Sequence, residues 1–284
     1  KLRIVGSAAM YPFVAALSER FGYESGFSTP IIESTGTGGG IKFFCAGMGT
    51  GFPQIVAASR PLSTKERRYC HSNGVTDLIE IPLGLDGIVL AGSRWVSPIS
   101  LTLEQLRQVV QASDHPPLKW QEVSEKLPNY RIQLLIPPTT SGTREAFEQL
   151  VLGKTEARRD GVLQSASDQE SVLAQKLQLS PKALGILSFA FMEKNTERLQ
   201  AVRLNGVPPS RDTIRLGHYP LVREVYLYVK AAEINHTPAL ATFVHYIISP
   251  HAQSILSKAG LIPLGVQRSE HRRQNVVVVL GGKL

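Results

Sequence analysis

Short apolar runs alternate with helix-like segments along most of the chain. Three runs in the first sixty residues predict strands: "LRIVG", "TPIIES" and "QIVAAS". Between the first two, apolar side chains recur at helical spacing from Phe13 to Phe21, and we predict a helix that Gly22 ends. A glycine turn and a short helix from about Ile41 to Cys45 are expected before the third strand.

Two longer apolar stretches, Leu78–Gly92 and Arg223–Val229, lie on either side of the middle of the chain. The pattern between them predicts three helices and two further strands: helices near Leu103–Val110, Arg144–Leu152 and Ser171–Leu177, and strands in "IQLLI" and "ALGILSF". Alternating strands and helices favour an α/β fold with a mainly parallel sheet.

The segments that follow four of these strands share one chemistry. They are "SAAMYP", "TGTGGGIK", "RPLS" and "TTSGTRE", and each offers small or hydroxyl residues. At least three lead into a helix, whose first N–H groups and dipole attract an anion. In the last segment Ser141 and Thr143 add hydroxyl donors, Gly142 permits close backbone approach, and Arg144 could bind an oxyanion through two N–H groups.

Simpler explanations exist for each segment taken alone. Ser141 could cap its helix, a role that is equally well supported and compatible with ligand contact. The glycine run matches neither a Walker loop nor a dinucleotide fingerprint, because Ile41 interrupts both patterns. Asp86 lies among apolar residues of a long strand and needs donors or a partner there, and Arg60 is one candidate partner.

Composition limits the class of protein. A chain of 284 residues with 43% hydrophobic residues can bury a large core and form two lobes. The formal charge of +8 attracts anions, but the basic residues are scattered and no nucleic-acid-binding motif is present, so no nucleic-acid partner is expected. No apolar run approaches membrane-spanning length and no leader precedes "LRIVG", so we expect a cytosolic or an already processed protein.

The sequence gives little support for catalytic activity or for metal binding. No nucleophile elbow, no metal-binding histidine motif and no cysteine cluster is present, so we predict no enzymatic activity, no metal and no cofactor. Cys45 and Cys70 are the only two cysteines, and the residues alone leave open whether they are thiols or one disulfide.

Six segments together resemble one known family. These segments are "RIVGSAAMYPF", "ESTGTGGGIKFFCAG", "ASRPLSTKERRYC", "GLDGIVLAG", "PPTTSGTREAF" and "YPLVREVYLYVK". In this order they resemble the periplasmic phosphate-binding protein of the bacterial phosphate ABC importer. The resemblance implies a type II periplasmic-binding-protein fold, in which crossover strands form a hinge and two lobes close on the ligand. Lobe 1 would comprise residues 1–86 and 225–284, and lobe 2 residues 87–224.

The resemblance also implies a ligand site and a disulfide between Cys45 and Cys70. The implied phosphate contacts are Ala9, Met10, Thr37, Gly38, Ser59, Arg60, Ser141, Gly142, Thr143 and Arg144. To these we add Asp86 as a candidate acceptor for a phosphate O–H, with a pairing to Arg60 as the alternative. The implied protein is a periplasmic monomer that delivers inorganic phosphate to the membrane permease of an ABC importer.

Two positions depart from the family pattern. Ala8 and Ala9 stand where members of the family usually carry serine and threonine, so at least one hydroxyl donor is missing. A different tetrahedral oxyanion such as arsenate, or a sensing role on the same fold, is therefore an alternative. An enzyme acting on phosphate esters is the less favoured third hypothesis.

Overall fold

The computed structural model describes residues 1–139, 141–167 and 169–264, together with Gln274 and Val276. The chain forms two compact units. Unit 1 comprises Lys1–Leu85 and the described residues from Arg223 onward, and unit 2 comprises Asp86–Val222. The predicted lobe boundaries differ from these limits by one residue at the first junction and two at the second. The assignment of the units as lobes that close about a hinge stays a prediction.

Strands and helices alternate through both units. The strands found in residues 1–264 are β1 (Arg3–Gly6), β2 (Ile31–Ser34), β3 (Ile55–Ala58), β4 (Leu78–Ser93), β5 (Ser100–Leu101), β6 (Leu134–Ile136), β7 (Leu163–Ser165), β8 (Leu184–Ser188), β9 (Leu199–Ala201), β10 (Arg203–Leu204) and β11 (Val222–Lys230). The α-helices in the same range are α1 (Tyr11–Ser25), α2 (Thr37–Phe44), α3 (Thr64–Ser72), α4 (Leu103–Val110), α5 (Trp120–Val123), α6 (Gly142–Val151), α7 (Glu170–Leu179), α8 (Phe189–Glu193), α9 (Arg211–Arg215), α10 (Ala231–Ile234), α11 (Pro238–Ile247) and α12 (Pro250–Ala259).

The sheet of unit 1 is parallel at its centre. β1 pairs in parallel with β2 on one side and with β3 on the other, and β11 then pairs antiparallel with β3. Gly6 at the end of β1 lies opposite Ser34 of β2 and Ala57 of β3. The carboxyl ends of the three parallel strands are therefore level with one another.

Helices cover both faces of this sheet. Ile4 and Val5 are neighbours on β1 and point to opposite faces, and both are buried. The face of Ile4 packs with residues of α1, α11 and α12, whereas the face of Val5 packs with residues of α2 and α3. Burial on both faces explains why the strand reads as a continuous apolar run rather than an alternating one.

Cys45 and Cys70 form a disulfide that links the residue after α2 to α3, as the resemblance implied. Both residues are buried in the apolar cluster that contains Val5 and Phe44. The bond therefore connects two helices that begin beside the carboxyl ends of β2 and β3.

We expect no free thiol in the native protein, because its only two cysteines are joined. A thiol titration in denaturant without reductant should read close to zero, and the same titration after reduction should read two thiols per chain. Two thiols before reduction would contradict the bond.

Unit 2 is built on a second mixed sheet. β6 pairs in parallel with β7 and β8, and β4 pairs antiparallel with β8 and β9. Ile88 of β4 lies opposite Ser188, the last residue of β8. Buried side chains of the flanking helices, among them Leu106, Phe147 and Leu173, form its core. The prediction of a mainly parallel sheet therefore holds for the central strands, and β4 and β11 are antiparallel to their neighbours.

Two helix limits differ from the sequence-based expectations. α1 continues through Gly22 to Ser25 and ends at Gly26, which has a left-handed φ of 75°. A Cβ on Gly22 would lie 2.3 Å from Thr29 Oγ1, so this glycine serves close packing rather than helix termination. α2 begins at Thr37 rather than near Ile41, and it includes the glycines that we had assigned to a turn.

None of the helices built from described residues is both long enough and apolar enough to cross a bilayer.

Candidate functional site

Three candidate loops of unit 1 leave the carboxyl ends of β1, β2 and β3 side by side. The Ser7 N–H donates to Ala57 O at 2.9 Å, and the Thr35 N–H donates to Gly6 O at 3.0 Å. Because these bonds tie the loops to neighbouring strands, the first residues of the following helices are held at one edge of the sheet. The predicted contacts in unit 1 all lie on these three loops.

Thr37 and Ser59 form the best-defined pair of this cluster. Their hydroxyl oxygens are 2.8 Å apart, and both side chains are buried. Thr37 is the first residue of α2, and no side chain caps this helix at Gly36. The first N–H groups of a helix have no partner within it. The start of α2, which includes Gly38, therefore offers backbone donors beside two ordered hydroxyl groups.

The loop after β1 contains the two alanines. Residues Ala8–Met10 form one 3-10 turn that runs into α1. The Met10 N–H donates to Ser7 O at 3.1 Å and the Met10 side chain is buried in the core, so a ligand contact from Met10 would have to share this backbone donor. The N–H groups of Ala8 and Ala9 have no backbone hydrogen-bond partner among the described residues, so the turn presents both as donors.

Ser7 was not among the predicted contacts. Its hydroxyl oxygen is buried and has no hydrogen-bond partner within the described part of the chain. An unsatisfied buried hydroxyl costs free energy unless a further group supplies the bond. The signal was present in the sequence, because Ser7 directly follows β1 in "SAAMYP".

Arg60 is engaged with a carboxylate that the sequence analysis did not consider. Its two terminal nitrogens donate to the two oxygens of Glu66, each at 2.8 Å. Glu66 also accepts hydrogen bonds from the Ser63 N–H and hydroxyl, which completes a capping box at the start of α3. The Arg60 guanidinium lowers the pKa of the Glu66 carboxyl to about 2. Glu66 is therefore ionised at neutral pH and fixes the orientation of Arg60.

In unit 2, the candidate loop leaves the carboxyl end of β6 and enters α6. Ser141 is the N-cap residue of α6, but its hydroxyl makes no capping hydrogen bond. Its carbonyl accepts from the Glu145 N–H at 3.0 Å, as expected of an N-cap residue. The hydroxyl therefore remains available to a ligand, together with the N–H groups of Gly142 and Thr143 in the first turn.

Arg144 lies in the first turn of α6 and is largely buried. Its Nε donates to Glu148 Oε1 at 2.8 Å, and Nη1 donates to Pro137 O at 3.2 Å. The guanidinium is thus held against the loop that connects β6 to α6. Like Arg60, this arginine is oriented by a carboxylate of its own unit.

Asp86 lies at the same edge of the unit 2 sheet. It is 5% exposed, and it precedes Ile88, which pairs with Ser188 at the carboxyl end of β8. The structure therefore places Asp86 on the side of the sheet from which the Ser141 loop emerges, since β6 and β8 run parallel.

Glu170 is a second carboxylate at this edge that sequence reasoning missed. Its two oxygens accept from the Ser188 N–H at 2.5 Å and from the Ser188 hydroxyl at 2.9 Å. Burial raises the pKa of Glu170, and the negative charge of Asp86 raises it further. An acidic residue in the first turn of a helix is common, so the sequence carried no signal for this role.

Each unit thus brings its own predicted residues together at the carboxyl ends of parallel strands. Uncapped helix starts, ordered hydroxyl groups and an oriented arginine are what a tetrahedral oxyanion needs from a protein. In open α/β sheets, ligands bind at this edge. Fold and site together define a ligand-binding protein of the α/β class.

Comparison with known proteins identifies the family. A model of the PBP superfamily domain matches residues 1–251. The protein SphX of Synechocystis sp. is 33% identical over 273 residues, which cover 93% of this chain and 78% of that protein. The chain therefore belongs to the PBP superfamily of periplasmic binding proteins, and the resemblance noted in the sequence is confirmed.

Solved structures support the same fold. A possible phosphate-binding protein from Planctomyces limnophilus superposes with a TM-score of 0.79 at 27% identity, covering 98% of both chains. A candidate phosphate ABC transporter substrate-binding protein from Clostridium perfringens, solved with bound phosphate, gives 0.68 at 25% identity and covers 93% of this chain and 99% of its own. The predicted type II periplasmic-binding-protein fold is confirmed.

Proposed function

We propose that this protein binds inorganic phosphate and delivers it to the membrane permease of an ABC importer. The observation that carries the proposal is the pair of helix starts without a side-chain cap: α2 beside the Thr37 and Ser59 hydroxyl groups, and α6 beside the Ser141 hydroxyl, which makes no capping hydrogen bond. The names of the relatives support phosphate as the ligand and transport rather than catalysis as the role. We further propose a periplasmic monomer that does not bind nucleic acid.

The proposed phosphate contacts are the residues that the resemblance implied, together with Asp86 as the candidate acceptor. They are Ala9, Met10, Thr37, Gly38, Ser59, Arg60, Asp86, Ser141, Gly142, Thr143 and Arg144. Ser7 joins them because its buried hydroxyl lacks a partner among the described residues. Arg60 and Arg144 act as donors that are oriented by their ion pairs with Glu66 and Glu148.

Calorimetry on ligand-stripped protein tests this function. Phosphate should bind, and arsenate should bind similarly because it has the same shape and protonation. Sulfate should bind far more weakly, since it offers no O–H to an acceptor. Binding of sulfate but not phosphate, or binding of neither, would contradict the proposal.

Ala9→Thr should tighten phosphate binding. The new hydroxyl would stand on the turn that already offers the Ala9 N–H, and a hydrogen bond to a charged group contributes about 1.4 kcal/mol, or roughly tenfold in affinity. Ala9→Val is the matched control, because it adds similar volume without a donor. Equal affinity of the Thr and Val variants would argue against a ligand contact at this position.

A further inference from the structure

An exposed tryptophan projects from unit 2 directly after β4. Trp95 is 81% exposed, whereas Trp120, the other tryptophan, is fully buried. The Trp95 ring makes no aromatic or cation–π contact within the described residues. A large apolar ring with one polar N–H is suited to a boundary between water and an apolar phase.

The turn that carries Trp95 is held firmly. The Trp95 N–H donates to Ser93 Oγ at 3.3 Å, and the Arg94 N–H donates to Arg198 O at 3.0 Å. The Gln200 amide donates to Ser93 O at 3.1 Å and also to the carbonyl of Val96. Because the backbone is bonded on both sides of the ring, exposure of Trp95 is a property of the fold.

Open recesses lie along the segment that follows Trp95. One has a volume of about 850 Å³ and another about 650 Å³, and both are lined by Pro98, Ile99 and Ser100. Basic side chains line these recesses and a narrower cleft beside Pro98: Arg94, Arg203, Lys126 and Lys182. We call Trp95–Ser100 with these four basic residues the Trp95 surface.

The charge of the Trp95 surface is not balanced locally. None of its four basic side chains has a carboxylate within salt-bridge distance in the described part of the chain. The two acidic residues at the larger recess, Glu193 and Asp212, pair with Arg211 and Arg215 instead.

This local excess is not typical of unit 2. Residues 86–222 hold 16 lysines and arginines against 14 aspartates and glutamates, so the unit is nearly neutral. The Trp95 surface carries four of these 16 basic side chains, whereas the unit as a whole, with 16 basic and 14 acidic residues, has a net charge of only +2.

We propose that the Trp95 surface docks on anionic lipid headgroups, with the Trp95 indole in the interfacial layer. Tryptophan is enriched at membrane interfaces. Long basic side chains beside it reach the anionic groups while their stems cover apolar area. Headgroups can rearrange to match dispersed cations, whereas a rigid acidic protein would need a matching fixed pattern. The proposal does not depend on phosphate binding.

The tryptophan fluorescence of the protein, measured with lipid vesicles, tests whether the Trp95 surface docks on anionic lipid. Adding phosphatidylglycerol vesicles should shift the tryptophan emission to the blue, and phosphatidylcholine vesicles should not. The buried Trp120 should contribute little to such a shift, so the change reports Trp95. No shift, or an equal shift with both lipids, would overturn the proposal and leave a protein partner as the explanation of the surface.

Sedimentation of variants with the same vesicles identifies the residues that are responsible for vesicle binding. Trp95→Ala should lose most of the binding, while Tyr23→Ala, which changes an 85% exposed ring of unit 1, should not. Lys126→Gln and Arg203→Gln should each weaken binding about fivefold, because one basic residue near an anionic surface contributes about that factor. Lys154→Gln is the control elsewhere in unit 2. Binding that Trp95→Ala retains, or that Lys154→Gln weakens as much as the surface variants, would overturn the assignment.

Discussion

Asp86→Asn should abolish most of the preference for phosphate over sulfate, chiefly because sulfate binding appears. Near neutral pH phosphate carries at least one O–H and sulfate none, so an ionised acceptor rewards phosphate and repels sulfate. Asp86 is 5% exposed and lies at the sheet edge beside the Ser141 loop. Like charges in a water-poor site cost several kcal/mol, so the ratio of affinities should fall by about a hundredfold or more.

Two further variants show which carboxylate acts as the acceptor. Asp77→Asn makes the same change at an exposed position of unit 1 and should leave the ratio unchanged. Glu170→Gln removes the neighbouring carboxylate that bonds Ser188. If the ratio of phosphate to sulfate affinity falls with Glu170→Gln but not with Asp86→Asn, the acceptor is Glu170 rather than Asp86. Equal weakening of both anions by Asp86→Asn would instead make Asp86 a structural counter-ion, as a pairing with Arg60 would require.

Gly40→Ala should lower both the stability of the protein and its affinity for phosphate. A Cβ at this position would lie 2.5 Å from Gly6 Cα and 2.9 Å from Gly6 N, which are backbone atoms that cannot turn aside. α2 must then move away from β1, and it carries the Thr37 and Gly38 donors with it. Overpacking of this kind costs about 1–3 kcal/mol. Denaturant unfolding measures the first effect, and calorimetry with phosphate measures the second.

The adjacent glycine supplies the control for stability. A Cβ on Gly39 would have Thr35 Cβ as its nearest neighbour at 3.8 Å, an ordinary contact. Gly39→Ala should therefore be neutral or should stabilise the helix by about 0.5–1 kcal/mol, because alanine loses less backbone entropy. A loss of stability as large as that of Gly40→Ala would mean that the close approach of Gly40 to Gly6 is not the cause of the effect.

Local pattern was sufficient to predict many of the strands and helices. The apolar run from Leu78 predicted β4, which ends at Ser93, and the periodicity over Leu103–Val110 predicted α4 with the observed limits. The hydroxyl and glycine residues after the strands were expected at one edge of the sheet, because parallel strands place their carboxyl ends at the same edge, and the loops of unit 1 lie at such an edge. The family resemblance, confirmed by comparison, rests on the same segments.

Tertiary packing decided what local propensity could not. Gly22 and Gly38–Gly40 read as helix breakers, yet α1 and α2 include them. Gly22 lies against Thr29 and Gly40 against Gly6, and only a residue without a Cβ fits there. Intrinsic propensity disfavours glycine in a helix by about 1 kcal/mol, and this packing outweighs it.

The partners of the charged residues were likewise decided by the tertiary structure. The sequence predicted that Arg60 and Asp86 would lie on a strand or in the loop after it, and that Arg144 would lie at the start of a helix. It did not determine that Glu66 would hold Arg60, or that Glu170 would reach Ser188 from a helix that follows another strand. Glu170 and Ser188 are 18 positions apart in sequence and lie in different elements. The register of β6, β7 and β8 determines how close these two residues are in space. Such a contact depends on the order of the strands in the sheet. Local residue patterns do not encode this order.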